Sequence, residues 1–176
     1  MERRRRSGRR GQAEDVRTVM NALRRLVRAL RLSARAAEKT VGISGAQLFV
    51  LQELAAAPVD SLGALAARTH TDQSSVSVVV RRLVEHGLVA RRHAVTDARR
   101  VELALTASGR AVLRRAPEPV QKRLLAALAR LSPPRRRVLA RTLTEIAQAA
   151  VPDGEHPGMF FEEDAARRVR RRHRHG

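Results

Sequence analysis

From Ala13 onward, apolar side chains recur at steps of three and four. Val16, Val19, Met20, Leu23, Leu26, Val27, Leu30, Ala34 and Ala37 form one stripe about seven helical turns long, and the opposite face is rich in Arg. A helix this long with a stripe this continuous is expected to lie along another helix, and Gly42 stops it. Ser44 is placed as the N-cap of the next helix, with Gln47 three residues later completing a capping box. That helix runs to about Ala57, turns Leu48, Leu51, Leu54 and Ala55 inward, and ends at Pro58. Ser61 caps a short helix carrying Leu62, Leu65 and Ala66, and a turn follows at Thr69–Thr71. Asp72–His86 reads as a fourth helix, with Val76, Val79, Val80, Leu83 and Val84 inward and Gly87 as its stop.

The period then changes. Leu88–Arg92 and Arg100–Leu105 are short extended runs, the second turning Val101, Leu103 and Leu105 inward against Glu102 and Ala104. The polar stretch from His93 to Arg99 is the tip of the hairpin between them. Thr106 caps a helix that bends near Pro117 and Pro119 and continues to Leu131, and Ser132-Pro133 opens the last helix. Leu139, Leu143, Ile146, Ala147 and Ala150 fall on one side of it. Pro152–Gly158 breaks it, Met159-Phe160-Phe161 is a short apolar patch, and a basic tail follows. The fold class is therefore mainly α with a minor β part.

Charge adds a partner to this outline. The chain holds 36 Lys and Arg against 17 Asp and Glu, a net charge of +19, which attracts polyanions. Six Arg lie in residues 1–12 and six in residues 165–176, so more than half of the net charge sits at the two ends. Residues 1–12 have no apolar anchor and are expected to be a disordered basic arm. Arg outnumbers Lys by 34 to 2. With Ala and Leu also abundant, coding bias explains that ratio, so the Arg count alone does not establish phosphate recognition. With neither Trp nor Tyr and only three Phe, the chain lacks the stacking platforms that bind single strands, which favours duplex DNA.

Other chemistries find no foothold. The absence of Cys excludes disulfides and thiolate zinc sites. The six His show no pair at i, i+4 with a third ligand nearby, so no metal and no cofactor are expected. There is no Gly-rich phosphate loop, nucleophile elbow or carboxylate cluster, and an enzyme is not expected. No apolar run is long enough to cross a membrane and no signal-peptide pattern opens the chain, so the expected location is cytoplasmic and nucleoid-associated.

Helix, helix, short helix, turn, helix and β-hairpin is the order of a winged helix-turn-helix. In the Asp72–His86 helix, Gln73, Ser74, Ser75, Ser77 and Val78 are short enough to let the backbone descend into a major groove and touch bases. Arg81 and Arg82 follow one turn later, within reach of phosphates. An ordinary amphipathic helix with a solvated polar face would show the same pattern, and the hairpin shifts the balance. Arg82–Arg92, Asp97-Ala98-Arg99-Arg100 and Leu105-Thr106-Ala107-Ser108-Gly109-Arg110 resemble the MarR family of transcriptional regulators. They match its recognition-helix end, its Asp-x-Arg wing motif and its strand-to-helix exit.

The resemblance in layout covers about residues 13–150. It implies a homodimer in which 13–40 and 107–151 are dimerisation helices and 41–106 is the winged DNA-binding lobe, with 152–176 a tail that is basic from 165. The apolar stripes of the terminal helices exceed what one small lobe can bury, which supports the dimer independently. The resemblance also implies that Gln73, Ser74, Ser77 and Val78 face bases and Arg82 holds a phosphate. Arg99 would enter the minor groove with Arg100 beside it, and Asp97 would brace Arg99 or Arg91. It implies a small anionic or aromatic effector at the junction of dimerisation helices and lobe, where Arg28, Arg31, Arg35, Gln47 and His70 are the candidates. A homodimeric repressor of double-stranded DNA on a pseudo-palindromic operator is the expected function. The alternative is a nucleoid-type binder driven by its basic arms with little sequence preference.

Overall fold

The computed structural model describes the backbone of residues 2–57, 59–94, 97–151 and 159, and the side chains of 11–57, 59–91, 102–151 and 159. Seven helices and one hairpin follow in order among these residues: α1 (Glu2–Val41), α2 (Gly45–Ala56), α3 (Leu62–Thr69), α4 (Gln73–Glu85), β1 (Val89–Ala94), β2 (Asp97–Leu105), α5 (Ala107–Arg115), α6 (Val120–Ala129) and α7 (Pro133–Ala150).

The core of the lobe forms around α2. Ala46, Gln47, Leu48, Phe49, Val50, Leu51 and Leu54 are buried, so this helix is enclosed on nearly every side. The expected inward set was thus too narrow, and Ala55 is exposed. Leu65 from α3, Val76, Val79, Val80 and Leu83 from α4, and Val89 and Leu103 from the hairpin close on α2. Ala37 and Ile43 fasten the end of α1 to the same cluster. Met159, beyond α7, is buried in it too. Its expected neighbours Phe160 and Phe161 lie outside the described residues, as does the basic tail.

The helix ends follow their residues. Ser44 and Gln47 make both bonds of the predicted capping box, and Ser61 and Thr106 cap α3 and α5 through their side chains. Gly42 and Gly87 hold φ of 74° and 67°, the left-handed geometry that ends a helix at little cost to glycine. Two expectations change. The helix does not start at Ala13 but continues back to Glu2, through the stretch expected to be a disordered arm. Arg costs little in a helix, so the turns nucleated by the apolar stripe propagate through it. Near the prolines the chain does not merely bend. Pro117 forces Ala116 into an extended conformation (φ −76°, ψ 142°), and the helix restarts after Pro119 as α6. The first amide of α6, Val120 N–H, donates to Ser33 Oγ of α1 at 3.1 Å, which replaces the cap that proline cannot supply.

The hairpin is antiparallel, pairing Val89 with Leu105, Arg91 with Leu103 and His93 with Val101. Leu103 also bridges Val59, its N–H donating to the Val59 carbonyl at 3.3 Å. The linker between α2 and α3 is thereby a one-residue third strand at the base of the wing, too short to show in the sequence pattern.

Candidate DNA interface

The candidate recognition face starts at the entry to α4. Asp72 is its N-cap: Oδ1 accepts the Ser75 N–H at 2.9 Å, Oδ2 accepts the Ser75 hydroxyl at 2.7 Å, and the Ser74 hydroxyl donates to Oδ1 as well. These bonds all favour the carboxylate, the Ser74 hydroxyl most, and hold Asp72 far below the usual carboxylate range. They also divide the serines. Ser75 is buried with its hydroxyl turned back to the cap, so it drops out of the base-facing set expected from sequence. Gln73 and Ser74 remain exposed, and Ser77 and Val78 are half-buried one turn on. These four and exposed Arg81 fall at i, i+1, i+4, i+5 and i+8, a single face opposite the buried Val76, Val79, Val80 and Leu83. Arg81 makes a loose exposed pair with Glu85 at 4.0 Å, and Arg82 is half-buried.

The turn before α4 is tight. His70 caps α3 at φ 51°, the sole non-glycine residue in that region among those described. The Thr71 N–H returns to the Ala66 carbonyl at 3.0 Å, and the buried Thr69 hydroxyl donates to Leu65 O at 2.9 Å. His70 therefore belongs to the helix-turn-helix corner.

On the wing, Arg91 is exposed on β1. Asp97, Arg99 and Arg100 lie in the backbone of β2, but their side chains are outside the described residues. The base of the wing is well defined. Thr106 donates its N–H to Leu88 O at 3.1 Å and its hydroxyl to Gly87 O at 2.7 Å, while its Oγ1 accepts the Gly109 N–H at 3.0 Å. Gly109 is buried so close beneath Leu88 that a Cβ there would stand 2.2 Å from the Leu88 carbonyl oxygen. This explains physically the Thr-x-x-Gly spacing at the wing exit.

The five candidate effector residues do not converge. Arg28, Arg31 and Arg35 line one open groove of about 630 Å³ along α1, together with Arg24 and an apolar floor that includes Leu23, Val27 and Leu32. Gln47 is buried and spent on the capping box, its Oε1 accepting the Ser44 N–H at 2.9 Å. His70 sits in the turn before α4. Among the described residues no three His, Asp or Glu gather as a metal site, and no helix is long and apolar enough to cross a membrane. Sequence reasoning missed the Asp72 cluster, signalled only by Asp-x-Ser-Ser, and the Val59 bridge, which left no signal.

A family model described as MarR family matches residues 41–100. The HTH-type transcriptional repressor Rv2887 of Mycobacterium tuberculosis is 32% identical over 117 residues, 66% of this chain and 84% of that protein. A putative transcriptional regulatory protein for the hcr operon of Thauera aromatica is 34% identical over 136 residues, 77% of this chain and 80% of its own length. Among solved structures, Sco3205 of Streptomyces coelicolor, described as a MarR family regulator in complex with DNA, superposes with a TM-score of 0.55. It is 24% identical and covers 84% of this chain and 94% of its own, which bears on the fold.

Proposed function

The chain belongs to the MarR family, a family of transcriptional regulators rather than enzymes, and we propose that it represses transcription as a homodimer bound to duplex DNA. The observation that carries this reading is the outer face of α4, where exposed Gln73 and Ser74 and half-buried Ser77 and Val78 lie opposite a side that is fully buried. Short side chains there let the helix backbone approach base edges. Arg82 follows for a phosphate, and Arg99 and Arg100 extend the reading to the wing. Rv2887, a repressor by name and 32% identical, supports the direction of control.

The dimer rests on apolar surface that the single chain leaves bare. Val16 and Leu32 of α1 and Val138 of α7 are each more than half exposed, and no residue of α7 is buried. A second copy covering both helices removes this hazard and pairs two α4 helices across a two-fold axis. In this reading the second copy also covers the open groove on α1. Its Arg24, Arg28, Arg31 and Arg35 over an apolar floor suit a small anionic ligand with an apolar or aromatic body, the effector of this reading. As a regulator of transcription it acts in the cytoplasm, where the chromosome lies.

Selection of duplexes from a random pool at ~150 mM salt tests the proposal, because that condition penalises purely electrostatic binding. The expected result is an inverted repeat whose half-sites lie about one helical turn, roughly 34 Å, apart. Tight binding without enrichment would overturn it in favour of a nucleoid-type binder.

A further inference from the structure

Both elements that would read DNA are fastened to the same short piece of chain, the end of α2 and the linker after it. From the helix-turn-helix side the fastener is Arg68, on the last turn of α3. Its guanidinium donates to the carbonyl of Ala57 at 2.7 Å and to the carbonyl of Glu53, and pairs with the Glu53 carboxylate at 3.5 Å. The end of α2 needs these donors. Ala57 is extended and Pro58 has no N–H to return to the helix, so Arg68 supplies donors that the next residue cannot. The pair is not a loose surface contact either, since the two side chains are 26% and 21% exposed. From the wing side the fastener is Leu103 of β2, bonded to Val59 two residues beyond Ala57.

We propose that Arg68 is a positioning residue for DNA recognition. Through residues 53–59 it fixes the recognition helix relative to the wing, so that major-groove and minor-groove contacts are made together. This rests on the duplex-DNA reading above. Arg68 touches no base in this account. It acts through the α3–α4 corner, which begins at the next residue, and through the linker that carries Val59. Only arginine fits the role, because its planar fork spans two carbonyls and a carboxylate at once, whereas an ammonium group cannot.

The test is a double-mutant cycle in the full-length dimer, with R68M and R99A measured singly and together against a preferred and a scrambled duplex. R68M should weaken binding to the preferred duplex on the order of tenfold, comparable with one lost base contact, and shrink the preference over the scrambled duplex. In the R68M background the further loss from R99A should be several-fold smaller than in wild type, because the wing is already out of register. R68K should restore little of the coupling, and E53Q, which keeps both carbonyls, should keep most of it. If R68M does not fold, R68K and E53Q carry the comparison. Effects of R68M and R99A that multiply within about twofold would overturn the positioning role, whatever the change in Tm. If R99A alone loses nothing, the wing reading itself fails and the proposal with it. If R99A is costly and the cycle multiplicative, the wing reading stands and Arg68 is only structural.

Discussion

Gly109→Ala is the sharpest single test of how the wing is seated. A Cβ at this position would lie 2.2 Å from Leu88 O, 3.2 Å from Leu88 C and 3.3 Å from Leu105 Cδ2. An ordinary carbon–oxygen approach is about 3.3 Å, so α5 and the wing base must separate by about 1 Å. The obstacle is backbone, which cannot swing aside as a side-chain tip can, and Leu88 O is also held by the Thr106 N–H. Overpacking of this kind costs about 1–3 kcal/mol, and the better helix propensity of Ala returns up to about 1 kcal/mol. A net loss of about 1–2 kcal/mol lowers Tm by roughly 2–8 °C in a chain of this length. The melts must be compared at equal chain concentration, because any self-association makes Tm depend on it. Ser108→Ala, next door and exposed, is the control and should stay within about 0.5 kcal/mol of wild type. The displaced wing should also weaken operator binding in G109A beyond what its stability loss predicts. A G109A protein that melts no lower than wild type and binds with unchanged affinity would refute the argument that close approach, rather than helix propensity, dictates glycine here.

Four further outcomes follow from the same geometry. His70→Gly relieves a left-handed conformation unfavourable to histidine and should raise stability by up to about 1 kcal/mol, read by thermal or urea denaturation. Asp72→Asn keeps an acceptor at the cap but loses the charge. Because the folded carboxylate titrates far below its unfolded value, its stabilisation is complete above about pH 4 and fades only as pH falls toward the folded pKa, so D72N should unfold with a shallower acid dependence in a pH-melt series. Ser75→Ala and Ser77→Ala should separate: S75A lowers Tm and leaves base preference intact, whereas S77A keeps Tm and relaxes preference at one operator position by about 1 kcal/mol in competition binding. Ile146→Glu on the exposed side of α7 should give monomers by sedimentation with the winged lobe still folded, since Ile146 is not part of the lobe's core.

What the sequence revealed divides by the range of the interaction responsible. Caps, stops and periodicity are set by residues within four or five positions of one another, and Ser44-Gln47, Ser61, Thr106, Gly42 and Gly87 all stand where the pattern put them. The errors arise where one residue has two local uses. Gln47 satisfies a capping box and also lies just beyond the end of α1, and the buried cap took it out of the candidate ligand set. Ser75 fits a polar recognition face, yet it is the third residue after an aspartate N-cap, whose carboxylate draws both its N–H and its hydroxyl inward. A buried side chain bonded at a helix start is lost to a surface role, because leaving its donor unsatisfied costs more than leaving a groove contact unmade. The contacts that seat the reading elements are of a different kind. Arg68 reaches back 15 residues to Glu53, and Val59 meets Leu103 across most of the lobe. Neither leaves a periodic trace, since each is a single residue meeting backbone, and backbone carbonyls are the same at every position. The residues proposed to touch DNA are therefore chosen by their own types, whereas those proposed to hold them at the correct spacing became visible only once the chain was folded.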